Sequence, residues 1–272
     1  MPTSRFLFWN INRKPLAPVI ADQAHDQQVD LLVLVECNIE SHVLLAALNG
    51  MGRSDFHLAV GLSRGIRILI RFSRDFLRPV FESDRVTIGS LLLPARSEIL
   101  LCVAHLPSKL HQTNIDQLFN CTELAGRIAA EEDKVGHQRT ILVGDLNMNP
   151  FEAGVVTASG LHAVMSREVA SRQSRTVQGH KYRFFYNPMW NHFGDASSDT
   201  AGSYFYDASK QLSYFWNVFD QVLIRPELAT KFDPARLQIL KSVGTRSLVS
   251  GNGRPDTKQY SDHLPIVFDL DF

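Results

Sequence analysis

The stretch that most constrains the fold is residues 141–150, which read ILVGDLNMNP. Its branched aliphatic residues predict a buried β-strand, and Gly144 and Pro150 bracket the point where that strand ends. Because side chains alternate along a strand, Asp145 and Asn147 lie on one face while the residue between them turns into the core. A carboxylate and a carboxamide held there could bind a metal-bridged water and a phosphate oxygen. An Asx turn that only closes the strand explains the same residues, so the stretch alone leaves both interpretations open.

Length, charge and cysteine content exclude several classes of protein. The 272 residues are 44% hydrophobic, enough for a substantial core, and we expect one α/β domain over 1–272. The 28 acidic and 28 basic residues balance, which argues against coating of nucleic acid by bulk charge. The three cysteines form no CxxC pair and predict neither disulfides nor a zinc site, so a cytoplasmic location is expected. No stretch has signal-peptide character or transmembrane length, and no stable membrane insertion is expected.

Polar side chains also stand at or beside the ends of other apolar stretches. These residues are Asn10, Glu36, His105, Asp220, Asp262 and His263. Each has a plain structural explanation, such as a glutamate that marks the exit of a strand to solvent or a histidine satisfied by hydrogen bonds. The repetition of the pattern favours one shared site over many separate coincidences.

Two further elements show clear periodicity. A helix is predicted over residues 111–134, between two apolar strands, an order typical of α/β proteins. At helical spacing its expected core face is Ile115, Leu118, Phe119, Thr122, Ala125 and Ala129. Residues 65–72 alternate and predict a strand with Arg67 and Arg71 on the face opposite the core. That face could be solvated or could line an anionic site, and solvation is the simpler explanation.

The region from about 161 to 217 differs in composition from the rest of the chain. Its first part is basic and its second part is rich in aromatic residues. Basic side chains interleaved with rings suit a nucleic-acid surface, because cations meet phosphates and rings stack on bases. We therefore predict a substrate-facing insertion here, with candidate contacts at Arg175, Lys181, Trp190 and Trp216. Packing onto the core is the simpler explanation for most individual rings.

Taken together, the polar strand ends resemble the endonuclease/exonuclease/phosphatase superfamily, whose members include deoxyribonucleases, abasic-site endonucleases, sphingomyelinases and inositol-polyphosphate phosphatases. The most specific pieces are Gly144–Asn147 and Ser261–Pro265, which occur here together with Trp9–Asn10 and Val35–Glu36. The resemblance runs over nearly the whole chain. It implies an α/β fold, a four-layer α/β sandwich in which two mixed β-sheets pack face to face with helices on the outside. It also implies that the polar strand ends surround one cleft.

The resemblance further implies a metal-dependent hydrolase of phosphate esters. Glu36 would hold Mg²⁺ or Mn²⁺, because a hard divalent cation prefers oxygen ligands. Asn10 and Asp262 would contribute to the same metal region. The cation would neutralise charge on the phosphoryl oxygens during hydrolysis.

The remaining members of the set would carry the proton transfers and the phosphate contacts. His263 would contact the phosphate or act as a base, oriented by Asp220 through its other ring nitrogen. Asp145 would align or deprotonate the attacking water, and Asn147 would hold a nonbridging oxygen. The choice of base between Asp145 and His263 stays open at this point.

His105 distinguishes branches of the superfamily. Its His-Leu-Pro-Ser context resembles pancreatic-type deoxyribonucleases and several phosphatases, whereas abasic-site endonucleases usually carry Tyr there. In the deoxyribonuclease branch a Glu from the strand that corresponds to residues 66–72 partners this histidine, but here Arg67 or Arg71 occupies the exposed face. An arginine next to His105 would oppose its protonation and would favour direct contact with phosphate over a general-acid role.

Three functions remain compatible with the sequence. The first is a nuclease that acts on DNA and also on RNA, with residues 167–216 facing the substrate. The second is a phosphatase or phosphodiesterase of a small or lipid phosphate, such as an inositol phosphate or sphingomyelin. The third, an inactive nucleic-acid-binding module, is disfavoured because every chemically necessary residue type is present.

Overall fold

A computed structural model of the chain describes residues 3–50, 55–60, 65–110, 112–194, 200–207, 209 and 211–271. Its strands are β1 Thr3–Asn10, β2 Leu31–Val35, β3 His57–Val60, β4 Arg67–Ile70, β5 Leu77–Glu82, β6 Val86–Leu91, β7 Ile99–His105, β8 Thr140–Asp145, β9 Ala163–Val164, β10 Ser174–Val177, β11 His180–Arg183, β12 Phe185–Tyr186, β13 Tyr204–Tyr206, β14 Phe215–Asn217, β15 Asp220–Ile224, β16 Gln238–Ile239, β17 Ser242–Val243, β18 Arg246–Ser247 and β19 Ile266–Asp271. Its α-helices are α1 Ala17–Asp26, α2 Ser41–Asn49, α3 Asn114–Val135, α4 Ala153–Val156 and α5 Arg167–Ser171. None of these helices is long and apolar enough to cross a membrane.

The first large sheet joins the two ends of the chain. Its strand order is β16-β19-β1-β2-β4-β3. Strands β1 and β2 run parallel with Asn10 opposite Val35, which places Asn10 and Glu36 at the same edge of the sheet. Because β19 runs antiparallel to β1, the segment before it, which contains His263, comes to that edge as well.

The second large sheet has the order β5-β6-β7-β8-β15-β12-β9. Asp145 pairs with His105 in the parallel strand β7 and with Asp220 in the antiparallel strand β15. His105 and Asp145 are the last residues of their strands, and Asp220 is the first residue of β15. The three titratable residues therefore lie side by side at one edge of the sheet. Gly144 permits this close approach, because a Cβ there would lie 1.9 Å from the carbonyl oxygen of Ala104.

The two sheets pack face to face, as alternation along the strands of the second sheet shows. In β7, Ile99, Leu101 and Val103 belong to the core shared with the first sheet. The intervening residues, such as Leu100 and Cys102, pack under α3 instead. Since strand side chains alternate, each strand of this sheet separates two apolar layers. The predicted four-layer sandwich is confirmed.

Helix α3 forms where the sequence predicts it, but the predicted core face is wrong. Thr113 and Asp116 make a reciprocal capping box at its start, and Gly136 ends it with a left-handed φ of 73°. Ile115 and Phe119 of the predicted face are each 66% exposed. The buried side is instead formed by residues that include Gln117, Cys121, Leu124, Ile128, Glu131 and Glu132.

The core face of α3 was predicted wrongly because polar residues, among them Gln117 and Glu132, occupy part of its buried side. The Gln117 amide donates to the carbonyl oxygen of Asn147 at 3.0 Å, so it is satisfied although buried. Glu132 is fully buried and receives the Arg225 guanidinium, with Nε 2.7 Å from Oε1. Arg183 lies 3.0 Å from the other carboxylate oxygen. A pattern that counts only apolar residues misses a face built in this way.

The Glu132 network gives a stability prediction. Glu132→Ala leaves Arg225, whose side chain is 3% exposed, without its carboxylate partner. Removing one member of a buried ion pair costs about 3–5 kcal/mol, because the remaining charge stays desolvated. We expect urea unfolding to show a loss of that size. Glu123→Ala, at an exposed position of α3, should change the unfolding free energy by less than about 0.5 kcal/mol; equal effects of the two variants would contradict the buried network.

Candidate active site

The polar edges of the two sheets meet across the sandwich. The Asn10 amide of the first sheet donates to Asp145 Oδ2 of the second at 2.9 Å. A second link joins the His263 ring at Nδ1 to Asp220 Oδ2 at 2.8 Å. The sheet topology thus brings together residues that are up to 253 positions apart, from Asn10 to His263. The expected single cluster of polar strand ends is observed for these four residues.

Asp145 is the centre of this cluster. Its Oδ1 accepts the backbone N–H of Asn147 at 2.9 Å, and its Oδ2 lies 3.8 Å from Nε2 of His263 and 3.9 Å from Nε2 of His105. The side chain is buried, and this burial raises the pKa of the carboxyl against the opposing charges of His263 and His105. A carboxylate held between two imidazoles in a low-dielectric site can accept a proton readily.

His263 is held as a cation by the surrounding carboxylates. Burial alone would lower its pKa, but Asp220, Asp145 and Asp262 raise that pKa to about 10. The Trp9 indole N–H donates to the His263 carbonyl oxygen at 2.9 Å and so fixes the backbone of the residue. At neutral pH the imidazolium therefore presents Nε2–H as a charge-assisted donor.

Several residues of the site have positive φ values, which residues other than glycine seldom adopt. Asn12, Arg13, Glu36 and Asn147 have φ values of 45°, 57°, 48° and 51°, all in the left-handed region. Non-glycine residues in this region store strain, which persists only where the surrounding structure enforces it. Hydrogen bonds enforce it here, including Arg13 N to Glu36 O at 2.9 Å. Four of the ten non-glycine residues with positive φ in the described part of the chain lie at this edge, which supports a functional role for it.

Glu36 carries the more accessible carboxylate of the cleft, with a side chain 22% exposed. Its Oε2 lies 3.2 Å from Nε of Arg13, and its Oε1 lies 3.5 Å from Nε2 of His105. His105 is therefore placed between the carboxylates of Glu36 and Asp145. The sequence-based expectation that an arginine governs His105 is not what this geometry shows, since two acidic groups lie within ion-pair distance of its ring.

The donor set fits a hard divalent cation. Oxygens of Asp145 and Asp220 lie within 4.8 Å of each other, and the Glu36 carboxylate faces the same cleft. His263 lies beside these oxygens, but as an imidazolium it has no free lone pair for a cation. Among the described residues, Asp220 Oδ1 is fully buried and has no hydrogen-bond partner. Buried oxygens without donors are the ligands that Mg²⁺ or Mn²⁺ prefers.

Asp262 stands at the periphery of this set. It is half-buried, and its Oδ1 lies 3.4 Å from the hydroxyl of Ser261. Its carboxylate also acts on His263 through charge. Its predicted part in metal binding therefore stays a prediction.

Two of the predicted aromatic contacts and one arginine lie at the cleft end of the sandwich. Trp190 follows β12, which runs antiparallel to β15 and therefore toward the cleft. Its ring centroid is 6.3 Å from that of Phe151. Trp216 lies in the β13–β14 hairpin, whose residue Tyr204 contacts the His263 ring at 4.6 Å. Arg67 begins β4 opposite Leu34, next to the end of β2 that carries Glu36.

The structure does not bring Arg71, Arg175 or Lys181 into the cleft. Arg71 follows the opposite end of β4, with Nε 3.9 Å from Asp30. Arg175 and Lys181 belong to the β10–β11 hairpin, which ends at Arg183 and is held there by Glu132 near the end of α3.

That end of α3 is remote from the cleft. The Glu132 carboxylate accepts the Thr140 hydroxyl at 2.7 Å, and Thr140 begins the strand that Asp145 ends. The strand between them spans about 16 Å. This distance corrects the prediction that the basic part of region 161–217 faces the substrate.

Sequence reasoning also missed residues that the structure places at the site. Tyr204 stacks on Phe219 at 5.1 Å, and burial together with nearby carboxylates raises its pKa to about 12. Arg13 reaches Glu36, as described above. No sequence signal distinguishes these residues, because the turn that follows β1 and the β13–β14 hairpin have no periodicity to read.

A buried amide network behind the cleft was missed as well. Asn149 donates to Asn217 Oδ1 at 2.9 Å and accepts the backbone N–H of Val218 at 2.9 Å. Gln221 donates to the Met148 carbonyl oxygen at 2.6 Å. These bonds fix the loop after Asp145 and so position the Asp145–Asn147 pair. The two asparagines of the Asn-Met-Asn-Pro segment were a usable signal, since buried amides seldom occur without such partners.

No protein-family model matches the sequence, and no curated protein matches it. Solved structures are similar over nearly the full length. An endonuclease/exonuclease/phosphatase family protein from Bacteroides thetaiotaomicron has a TM-score of 0.61 at 14% identity, over 99% of this chain and 95% of that chain. An AP endonuclease from Archaeoglobus fulgidus has a TM-score of 0.56 at 15% identity, over 99% of this chain and 100% of that chain. TDP2 from D. rerio, complexed with single strand DNA product, has a TM-score of 0.55 at 15% identity, over 100% of both chains. The chain therefore has the fold of endonuclease/exonuclease/phosphatase proteins, as the resemblance in its sequence implies.

Proposed function

We propose that the chain is a divalent-metal-dependent phosphodiesterase, a nuclease with DNA rather than RNA as its preferred substrate. The observation that carries this proposal is the position of Asp145, a buried carboxylate within 3.9 Å of two imidazoles and hydrogen-bonded to the opposite sheet. A site of this composition supplies a proton acceptor, cationic donors and oxygen ligands at one point. Hydrolysis of a phosphate ester needs all three.

The metal region is assigned to Glu36, with Asn10 beside it and Asp262 at the periphery. When bound, Mg²⁺ or Mn²⁺ supplies Lewis-acid stabilisation of the charge that develops on the phosphoryl oxygens. Asn10 Oδ1 accepts the backbone N–H of Asn12 at 3.0 Å, so its amide is held in one orientation. Arg13, with a side chain 69% exposed, lies beside Glu36 and offers a guanidinium to a substrate phosphate.

We assign the role of base to Asp145 rather than to His263. A pKa of about 10 leaves His263 protonated at neutral pH, so it can donate a hydrogen bond to a nonbridging oxygen but has no free lone pair. Asp145 accepts hydrogen bonds from Asn10 and Asn147, which hold its carboxylate toward the cleft. It would take the proton of the attacking water as the P–O bond forms.

His105 and Asn147 complete the proposed machinery. His105, between Glu36 and Asp145, can deliver a proton to the leaving oxygen when the P–O bond breaks. The Asn147 amide donates one hydrogen to the Leu106 carbonyl oxygen at 2.9 Å, and its second hydrogen is assigned to a nonbridging oxygen.

Two observations support nucleic acid as the substrate. Trp190 and Trp216 lie at the cleft end of the sandwich, where rings can stack on bases. One of the similar structures, TDP2 from D. rerio, was solved with single strand DNA product. Arg175 and Lys181 lie at the far end of the second sheet, so they are not assigned to the substrate at the cleft.

A metal-titrated substrate panel tests the proposal. Plasmid, single-stranded, abasic and RNA oligonucleotides are compared with inositol phosphates and sphingomyelin, with Mg²⁺ or Mn²⁺ and with a chelator. We expect DNA cleavage that the chelator abolishes. Glu36→Gln should lower that activity by about 10²-fold or more, because it removes the anionic ligand.

Glu123→Gln is the matched control, since Glu123 is an exposed glutamate of α3. It should cleave DNA at the wild-type rate. Hydrolysis confined to inositol phosphates or sphingomyelin would assign the site to a small or lipid phosphate instead. No hydrolysis of any substrate, or full activity of Glu36→Gln, would contradict the proposed chemistry.

A further inference from the structure

Four aromatic rings cluster on the rim of the cleft around Phe151, and we call them the rim platform. The ring centroid of Phe151 lies 6.3 Å from that of Trp190, 5.7 Å from Phe193 and 5.3 Å from Tyr214. Phe151 is 36% exposed and Tyr214 is 49% exposed. Contiguous rings that face solvent mark a binding surface more often than chance, because they leave apolar area in water.

The rim platform is continuous in sequence and in space with the site. Phe151 directly follows the Asn-Met-Asn-Pro segment, one residue after Pro150. The next residue, Glu152, accepts the backbone N–H of Asn149 at 2.8 Å and pairs with the ammonium of Lys109. Because Lys109 and Glu152 neutralise each other, this ion pair adds no net charge between the rings and the cleft.

A track of ring contacts completes the connection to the catalytic residues. The Lys109 ammonium lies 5.5 Å from the centroid of the Phe219 ring. Phe219 stacks on Tyr204 at 5.1 Å, and Tyr204 lies 4.6 Å from the His263 ring. Phe219 is buried and supports this arrangement from below. Lys109, which pairs with Glu152 next to Phe151, therefore connects the rim platform to the Tyr204 and His263 rings.

We propose that the rim platform stacks the unpaired bases of the strand whose phosphate lies at His263, so that single-stranded segments are the preferred substrate. This inference rests on the proposed nuclease function. Rings accept any base by stacking, whereas the bases of a duplex are already stacked and paired. Lys109 is paired with Glu152 and the basic hairpin is remote, so the phosphates beside the rim platform meet no unpaired cation from these residues. Stacking is therefore the main contribution of the rim platform to binding. Binding of single strands should therefore depend weakly on salt.

The test is equilibrium binding in the presence of a chelator, which separates binding from hydrolysis. A labelled 12-nucleotide single strand and a blunt hairpin duplex are titrated by fluorescence anisotropy between low and moderate salt. Phe151→Ala combined with Tyr214→Ala should weaken single-strand binding by about 10-fold or more and duplex binding by less than about 2-fold. Phe151→Leu keeps apolar bulk but not a flat face, and should weaken single-strand binding in the same direction at an unchanged melting temperature.

Two control variants are available. Phe119→Ala removes a ring that is 66% exposed on α3, and Arg175→Ala with Lys181→Ala removes the charges of the remote hairpin. Neither should alter single-strand binding by more than about 2-fold.

Single-strand binding that is unchanged in the Phe151 and Tyr214 variants, or an equal loss for duplex, overturns the proposal. So does ring-dependent sedimentation with phosphatidylcholine–phosphatidylserine vesicles when single-strand binding does not depend on the rings. Ring-dependent single-strand binding without hydrolysis of any nucleic acid would instead refute the proposed nuclease function and leave the platform in place as a binding site.

Discussion

Asp145→Asn is expected to reduce the rate of phosphodiester hydrolysis by about 10³-fold. The substitution keeps the shape of the side chain but removes the charge and the proton acceptor at the centre of the cleft. Both carboxylate oxygens accept N–H groups, from Asn147 and from Asn10, at 2.9 Å. An amide can accept only one of these bonds, because its NH₂ group faces the other donor. The link between the two sheets is therefore weakened together with the chemistry.

Single-turnover kinetics at saturating Mg²⁺ measures this loss without interference from product release. The matched control is Asp233→Asn, an aspartate whose side chain is 51% exposed. It should leave the single-turnover rate unchanged. A rate for Asp145→Asn within about 10-fold of the wild type would exclude Asp145 as the base and return that role to another group.

The sequence predicted the cluster of polar residues because each member stands at or beside one end of an apolar strand. Leu31–Val35 and Thr140–Asp145 are buried throughout, and such runs are readable without structural information. Once strands are recognised, their polar ends must lie at a sheet edge, and the resemblance to a known superfamily supplies the topology. Asn10, Glu36, His105, Asp145, Asp220 and His263 follow from that reasoning.

The basic hairpin was misplaced because local charge does not determine which end of a sheet an insertion covers. Arg183 fixes the hairpin through Glu132, a residue of α3 that the sequence marks only as part of an acidic helix end. The same buried ion pair concealed the true core face of α3. Long-range pairing of charged side chains determines both the position of the β10–β11 hairpin and the core face of α3. Sequence periodicity carries no information about such pairing.

Backbone strain was equally invisible in the sequence. Glu36 and Asn147 adopt left-handed φ values although neither is glycine. Local propensity predicts a relaxed strand end at Glu36, whereas an asparagine such as Asn147 tolerates the left-handed region. Hydrogen bonds between loops impose the observed conformations, such as Arg13 N to Glu36 O at 2.9 Å and the Asn147 amide to Leu106 O at 2.9 Å.

Asp220→Asn is expected to lower the pKa of His263 and to reduce turnover by about 10³-fold. Asp220 lies 2.8 Å from Nδ1 of His263, and its charge is the largest influence that raises that pKa to about 10. Without it, only Asp145 and Asp262 oppose the effect of burial, so the pKa of His263 falls. The charge-assisted donor to the phosphate is then weakened. Because the ring also loses its orienting partner, the defect should fall on kcat more than on KM.

The pH dependence of the chelated protein distinguishes this role from a merely structural one. The folded-state pKa of about 10 lies above the ordinary value of 6.5, so the imidazolium stabilises the fold fully below pH 6.5 and this contribution is lost as the pH rises toward 10. Asp220→Asn should shift that alkaline loss to lower pH, as followed by urea unfolding and by NMR titration of the His263 ring protons. Asp269→Asn, which removes a buried aspartate paired with Arg5 instead, should leave the titration of His263 unchanged. An identical His263 titration in wild type and Asp220→Asn would show that Asp220 only packs against the ring and does not hold its proton.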